Sequence, residues 1–130
     1  MTILLVDDKP NLARVTTVAL SVVGCQSLTA GSIGEALALL DTKKIDAVFL
    51  DVNLGGENGL EFLSQLRSEP GRPPVIIFTS HSRSEIAEEA RDRGAFDCLI
   101  KPFTLDDLRD IVARLEQHRI ATGPAHDPIT

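Results

Sequence analysis

Five short apolar runs alternate strictly with five amphipathic segments along this chain, and this alternation constrains the fold more than any other feature. The apolar runs cover residues 2–6, 26–30, 46–51, 74–80 and 98–101. The amphipathic segments cover residues 11–23, 32–43, 59–69, 83–93 and 105–119. Apolar positions at helical spacing predict helices, and continuously apolar or β-branched runs are typical of strands buried on both faces. The sequence therefore predicts a doubly wound, parallel α/β sandwich.

Helix start and stop signals support these boundaries. Pro10 suits a first helical turn, and Gly24 follows the end of that helix. Ser32 stands three residues before Glu35, which is a capping-box pattern, and Thr104 precedes an acidic first turn. The last stretch contains glycine and proline and has no periodicity. We therefore expect one domain over residues 1–119 and a flexible tail, or the start of a linker, over 120–130.

Charge and composition exclude several classes of protein. The formal net charge of −6 argues against a nucleic-acid-binding surface on this domain. No apolar run approaches the roughly 20 residues that cross a bilayer, and the start of the chain does not resemble a signal peptide. We therefore expect a cytoplasmic protein that does not contact membranes. Cys25 and Cys98 lack metal-ligand spacing and are expected to be reduced and packed in the interior.

Polar side chains stand at the ends of the predicted strands, where an open parallel sheet binds its ligands. These residues are Asp7, Asp8, Asp51, Thr79 and Lys101. Core packing does not explain them, because isolated carboxylates are not buried without a partner. Three clustered carboxylates repel one another, and Mg²⁺ would relieve that repulsion. One carboxylate could then act as a nucleophile toward phosphorus, with Lys101 supplying positive charge and Thr79 a hydroxyl donor.

The motifs around these positions resemble those of response-regulator receiver domains of two-component signal transduction. They are Leu4-Leu5-Val6-Asp7-Asp8, Phe49-Leu50-Asp51-Val52-Asn53, Gly59, Phe78-Thr79-Ser80, Gly94-Ala95-Phe96-Asp97 and Lys101-Pro102-Phe103. They occur in the family's order, and the likeness runs from Thr2 to about Arg119. The resemblance implies a flavodoxin-like topology with strand order 2-1-3-4-5.

The resemblance also implies the chemistry of the site. Asp51 would accept a phosphoryl group from a sensor histidine kinase or a phosphotransfer protein. Asp8, Asp51 and the backbone carbonyl of Asn53 would ligate Mg²⁺, while Asp7 would hold a metal-bound water. Lys101 would pair with the phosphoryl group, and the Thr79 hydroxyl would hydrogen-bond it. Such a protein is a self-phosphorylating and slowly self-dephosphorylating switch, not a turnover enzyme.

Further positions bear on switching and on the lifetime of the acyl phosphate. The Lys101–Pro102 peptide bond is implied to be cis. Cys98 stands where receivers usually carry an aromatic switch residue, and we expect it to pack without a redox role. Asn53 and His81 occupy positions that control the approach of water in the family, and a bulky His81 is expected to slow loss of the phosphoryl group.

Two residues near the acidic pair depart from the family pattern. Lys9 stands where an acidic residue is common. The simplest expectation is a solvated lysine, although its charge could modestly disfavour metal binding or attract phosphate. Gly55 replaces a frequent proline, and with Gly56 it is expected to make the loop flexible.

The face formed by the fourth helix, fifth strand and fifth helix is the one that most receivers use to report their state. The motifs resemble receivers of enhancer-binding transcription activators, which implies control of transcription through an output domain. The alternative is a free-standing receiver that relays phosphoryl groups or docks on a target protein, and a homodimer is left open. A magnesium-dependent phosphohydrolase with an aspartyl nucleophile is disfavoured, because Asp7 and Asp8 are adjacent and no cap domain fits this length.

Overall fold

The main sheet of the protein has five parallel strands, and a two-residue hairpin lies beside it. The computed structural model describes residues 1–80 and 84–122. The strands of the main sheet are β1 (Thr2–Val6), β2 (Gln26–Ala30), β3 (Ala47–Asp51), β6 (Val75–Ser80) and β7 (Asp97–Lys101). The hairpin consists of β4 (Asn53–Leu54) and β5 (Glu57–Asn58). The helices are α1 (Pro10–Val22), α2 (Ile33–Thr42), α3 (Gly59–Ser68), α4 (Ser84–Asp92) and α5 (Leu105–Thr122).

The strand order of the main sheet is β2-β1-β3-β6-β7, which confirms the predicted order 2-1-3-4-5 for its strands taken in sequence. In register, Val6 of β1 pairs with Leu50 of β3. The next residue on each strand is an aspartate, Asp7 and Asp51. The strand order reverses at β1, so these two carboxylates stand at the point where open α/β sheets bind ligands.

Helices cover both faces of the sheet. Along β1, Ile3 and Leu5 face a core cluster shared with α1 and α5, while Leu4 and Val6 face a cluster shared with α2, α3 and α4. This alternation follows from the two-residue period of a strand. Strand β3 is buried at every position. The predicted doubly wound sandwich is therefore confirmed.

The predicted elements are all observed, and their ends agree within one residue except at α5. Ser32 caps α2, accepting the Glu35 amide at 3.2 Å, and Thr104 caps α5, accepting the Asp107 amide at 3.0 Å. Each such cap stabilises its helix by about 1 kcal/mol. Helix α5 extends to Thr122, past the predicted end at residue 119. The rest of the predicted tail, residues 123–130, lies outside the described residues.

The two cysteines lie on opposite faces of the sheet, since Cys25 packs with the α1–α5 cluster and Cys98 with the α2–α4 cluster. Both thiols are free. Within residues 1–80 and 84–122, no helix combines the length and the apolar character that a membrane span requires.

Candidate functional site

Asp51 lies at the carboxyl edge of the sheet with 4% of its surface exposed. Its Oδ1 accepts a hydrogen bond from the Asn53 backbone amide at 2.8 Å. Its Oδ2 accepts a hydrogen bond from the Lys101 ammonium at 3.1 Å. The backbone directly after β3 thus holds one carboxylate oxygen, and a cation from another strand holds the other.

Lys101 reaches Asp51 from the edge strand β7, across the intervening strand β6. Its ammonium lies 5.6 Å from the centroid of the Phe78 ring, and Phe78 is the register partner of Asp51. This cation–π contact is worth about 0.5–1 kcal/mol and holds the ammonium over the middle of the sheet edge. The Lys101–Pro102 peptide bond is cis, the isomer that the resemblance implies.

Asp7 is the most buried carboxylate of the site, with 1% of its side chain exposed. Its Oδ1 accepts a hydrogen bond from the Lys9 backbone amide at 2.9 Å. Its Oδ2 finds no hydrogen-bond donor among the residues described and lies 3.9 Å from the Lys101 ammonium. A buried carboxylate oxygen without a donor is costly. This oxygen is therefore a place where a further cation, or water bound to one, would be stabilising.

Asp8 is more accessible and contacts a lysine of its own. Its Oδ1 lies 3.4 Å from the Lys9 ammonium, which is also 3.4 Å from the Asn53 carbonyl oxygen. Partial desolvation works to lower the pKa of Lys9, but the attraction of Asp51 and the hydrogen bond and charge of Asp8 outweigh it, so this pKa lies above its ordinary value. Lys9 therefore contacts two of the oxygens that the resemblance assigns to Mg²⁺, and is not only solvated.

Thr79 is buried near the end of β6, one position beyond Phe78 and on the strand next to Asp51. In register it pairs with Ile100 of β7, directly before Lys101. The structure thus brings Asp7, Asp8, Asp51, Thr79 and Lys101 to one edge of the sheet. His81 lies outside the described residues.

The loop after Asp51 folds as the β4–β5 hairpin, which the sequence analysis did not predict. Its turn residues Gly55 and Gly56 have φ angles of 42° and 85°, in the left-handed region that glycine adopts readily. A Cβ on Gly55 would lie 2.4 Å from Asp8 Oδ2. Gly55 therefore lets the loop pack directly against Asp8.

Helix α3 begins directly against the backbone of Asp51, the residue predicted to accept a phosphoryl group. Asn58 caps this helix, accepting hydrogen bonds from the amides of Leu60 and Glu61 at 3.0 and 3.2 Å. A Cβ on Gly59 would lie 2.9 Å from the Asp51 carbonyl oxygen. A residue without a side chain is therefore required where α3 meets the end of β3.

The donor set of this edge fits Mg²⁺. The candidate ligands are carboxylate oxygens of Asp7, Asp8 and Asp51 and the Asn53 carbonyl, and hard divalent cations prefer oxygen. Among the described residues, no three acidic, histidine or cysteine side chains already converge as a complete metal cage. Mg²⁺ commonly uses one or two carboxylates and keeps several waters, so a complete cage is not required. The donorless Oδ2 of Asp7 is the observation that favours a cation here.

Cys98 lies half-buried on β7 and packs against the α2–α4 side of the core. Burial raises the pKa of its thiol above the ordinary value. A thiol of this kind is mostly protonated near neutral pH and is a poor nucleophile.

Its neighbour Asp97 joins the two helices that flank β7, a contact that the sequence analysis missed. Arg91 of α4 donates to Asp97 Oδ1 at 3.1 Å, and Arg114 of α5 pairs with Oδ2. Burial works to raise the pKa of Asp97, but hydrogen bonds from the Cys98 amide, Arg114 and Arg91 outweigh it and hold the pKa below its ordinary value. Asp97 therefore ties α4, β7 and α5 together.

Helix α1 presents a second apolar stripe to solvent, which the sequence analysis also missed. The exposed residues are Leu12, Val15, Val18 and Val22, and they are 48–67% exposed. Leu12 and Val15 line a cavity of about 480 Å³ that Lys101 and Phe103 also line. The apolar stripe thus continues to the edge of the acidic site. Its signal in the sequence was a helix with apolar residues on more than one face.

The family follows from comparison with known proteins. The profile of the family described as response regulator receiver domain matches residues 3–113. The chain belongs to this family. Receiver domains are the signalling switches of response regulators and not turnover enzymes.

The similar curated proteins are regulators much longer than this chain. Regulatory protein AtoC of Escherichia coli (strain K12) is 38% identical over 115 residues, which are 88% of this chain and 25% of that protein. Alginate biosynthesis transcriptional regulatory protein AlgB of Pseudomonas aeruginosa is 40% identical over 121 residues, which are 93% of this chain and 27% of that protein. The receiver thus spans about a quarter of the length of these relatives.

A solved receiver shows the same fold. The crystal structure of the receiver domain of NtrX from Brucella abortus superimposes with a TM-score of 0.82 at 32% identity. The match covers 88% of this chain and 98% of that one. The architecture described above is therefore that of a receiver domain.

Proposed function

We propose that this receiver is a phosphorylation switch in which Asp51 accepts a phosphoryl group with the help of Mg²⁺. The observation that carries the proposal is the pairing of two buried carboxylates, Asp51 and Asp7, with one ammonium, that of Lys101. Two carboxylates against one cation leave excess negative charge at a buried edge, which a divalent ion would balance. Mg²⁺ held by Asp8, Asp51 and the Asn53 carbonyl would neutralise phosphoryl oxygens; Asp7 would hold one of its waters.

The phosphoryl transfer is a displacement at phosphorus. A carboxylate oxygen of Asp51 forms the new O–P bond while the N–P bond of a phosphohistidine breaks, and the donor imidazole keeps the electron pair and later takes up a proton. Lys101 already contacts Asp51 Oδ2 and needs only a small movement to pair with the phosphoryl oxygens. The Thr79 hydroxyl, from the neighbouring strand, would donate to the same group. The product is an acyl phosphate on Asp51.

The phosphodonor that fits is a sensor histidine kinase or a phosphotransfer protein. Its histidine must approach Asp51 in line, so its protein surface must cover the rim of the site. The exposed stripe of α1, with Leu12 and Val15, continues to the cavity that Lys101 lines. Apolar surface next to a reactive group suits a protein partner. Val15→Ser should therefore slow transfer from a cognate phosphodonor protein while leaving reaction with acetyl phosphate unchanged.

The output that fits is a change in the face formed by α4, β7 and α5. Thr79 lies beside Ile100 of β7, and Ile100 is 41% exposed on the outer strand. A shift of Thr79 toward the phosphoryl group would move this strand and the helices that Asp97 ties to it. AlgB is a transcriptional regulator, so control of transcription through an output domain is the output we propose. Cys98 supplies no aromatic ring to such a switch, and the lifetime of the acyl phosphate would depend on Asn53 and His81.

The experiment that tests this function is intact-mass analysis of the protein with acetyl phosphate, with and without Mg²⁺. One added phosphoryl group is expected for the wild type with Mg²⁺, and none is expected for Asp51→Asn. Asp41→Asn, which removes an exposed carboxylate distant from the site, is the matched control and should react as the wild type does. An adduct that persists in Asp51→Asn would overturn the assignment of the acceptor.

A further inference from the structure

Lys9 is anchored so that its ammonium returns to the acidic site. Its backbone amide donates to Asp7 Oδ1 at 2.9 Å, and its carbonyl accepts the Ala13 amide at 2.9 Å as α1 begins. Its ammonium lies 3.4 Å from both Asp8 Oδ1 and the Asn53 carbonyl oxygen. A cation tethered in this way has a high effective concentration at the site.

The two oxygens that Lys9 contacts are two of those proposed for Mg²⁺, so the following inference rests on the proposed function. With Lys9 and Lys101 both present, two ammonium groups face the three carboxylates of Asp7, Asp8 and Asp51. A divalent ion added to this set would make the cluster positively charged overall. The Lys9 ammonium must therefore leave before the metal binds, or it repels the metal if it stays.

We propose that Lys9 is a built-in competitor of Mg²⁺. Its ammonium occupies the cation position between Asp8 and the Asn53 carbonyl, and this competition sets the Mg²⁺ concentration at which the switch can be phosphorylated. The competition is reversible, because 49% of the Lys9 side chain is exposed and its two contacts are long. The Gly55 turn packs against Asp8 Oδ2, which leaves Oδ1 facing Lys9. Lys9 thereby lowers the apparent affinity for Mg²⁺ without closing the site.

The test is the Mg²⁺ dissociation constant of the unphosphorylated protein, measured by isothermal titration calorimetry at fixed ionic strength. Lys9→Met keeps the length of the side chain and removes its charge, and it should bind Mg²⁺ about tenfold more tightly than the wild type. Lys9→Arg keeps the charge and should stay within about twofold of the wild type. Lys44→Met, at an exposed residue away from the site, makes the same change of net charge and should also stay within about twofold.

Equal affinities for Lys9→Met and the wild type would overturn the competition, as would equal gains for Lys9→Met and Lys44→Met. Absence of Mg²⁺ binding in every variant would overturn it too. Phosphorylation by acetyl phosphate, followed at saturating Mg²⁺, separates this inference from the proposed function. If an adduct forms on Asp51 but Lys9→Met and the wild type bind Mg²⁺ with equal affinity, only the role of Lys9 is rejected. The predicted affinity difference without any adduct rejects the phosphorylation of Asp51 and leaves only the competition of Lys9 with Mg²⁺ standing.

Discussion

The Lys101 ammonium lies 3.1 Å from Asp51 Oδ2, with both side chains largely buried at the carboxyl edge of the sheet. The same ammonium is 3.9 Å from Asp7 Oδ2, which has no hydrogen-bond donor among the described residues. One lysine from the edge strand thus balances two carboxylates at the ends of the adjacent inner strands β1 and β3. In this arrangement the groups proposed for phosphoryl transfer also determine part of the protein's stability.

Lys101→Met should destabilise the metal-free protein. The substitution leaves two buried carboxylates without their cation, and because the lysine is partly exposed we expect a loss of about 1–3 kcal/mol in the free energy of unfolding. Urea denaturation without Mg²⁺ measures this loss. Lys44→Met is the control for removing a lysine charge. A Lys101→Met protein as stable as the wild type would show that the ion pair contributes nothing to folding.

Asp7→Asn should have the opposite effect and stabilise the metal-free protein by about 1 kcal/mol. A neutral amide removes a buried charge whose Oδ2 has no donor, while its oxygen can still accept the Lys9 amide. Mg²⁺ should raise the stability of the wild type more than that of Asp7→Asn. The variant keeps Asp8, Asp51 and the Asn53 carbonyl but binds the ion more weakly without the charge of Asp7, and a ligand stabilises a protein according to how tightly it binds. Urea denaturation with and without Mg²⁺ checks both statements. A less stable Asp7→Asn would mean that the carboxylate is better satisfied than its contacts indicate.

Gly55→Ala and Gly56→Ala form a matched pair. Both place a side chain at a positive φ, which costs about 1 kcal/mol in each case. Only the Gly55 substitution also brings a Cβ within 2.4 Å of Asp8 Oδ2, whereas Gly56 has open space. Gly55→Ala should therefore shift the Mg²⁺ dissociation constant, and Gly56→Ala should not. Equal metal affinities in the two variants would show that the loop does not position Asp8.

Asp97→Asn should destabilise the protein by about 1–2 kcal/mol at pH 7. Because the pKa of folded Asp97 is lowered, its contribution is fully present above the unfolded value, about 3.9, and is lost as the pH falls through the folded value. The difference between wild type and variant should therefore shrink as the pH drops below 4. Urea denaturation across this range measures it, with the exposed Asp92→Asn as control. A difference that is constant with pH would contradict the ion-pair account.

The sheet and the positions of the site residues were predictable because they depend on local patterns. Buried parallel strands are short apolar runs, and the carboxyl ends of such strands meet at one edge. Asp7, Asp51, Thr79 and Lys101 could therefore be placed together from strand ends alone. Their roles came from the resemblance to the receiver family and remain predictions for phosphorylation and metal binding.

The contacts that depend on tertiary structure were not predictable. The β4–β5 hairpin has strands of only two residues, too short to show an alternating pattern, so a Gly-Gly turn was its only signal. The Arg91 and Arg114 pairs with Asp97 join residues whose distance depends on how both helices pack against β7. The contact of Lys9 with the Asn53 carbonyl spans 44 residues of sequence and depends on the hairpin itself.

The most direct measurement is reductive trapping of the phosphorylated residue. The protein is incubated with acetyl phosphate and Mg²⁺, and borohydride then reduces an aspartyl phosphate to homoserine, which peptide mass spectrometry locates. Homoserine at position 51, dependent on both donor and Mg²⁺, is the predicted result. Homoserine at position 7 or 8, or an unreduced residue 51 in a protein whose intact mass shows a phosphoryl group, would contradict the assignment of Asp51 as the acceptor.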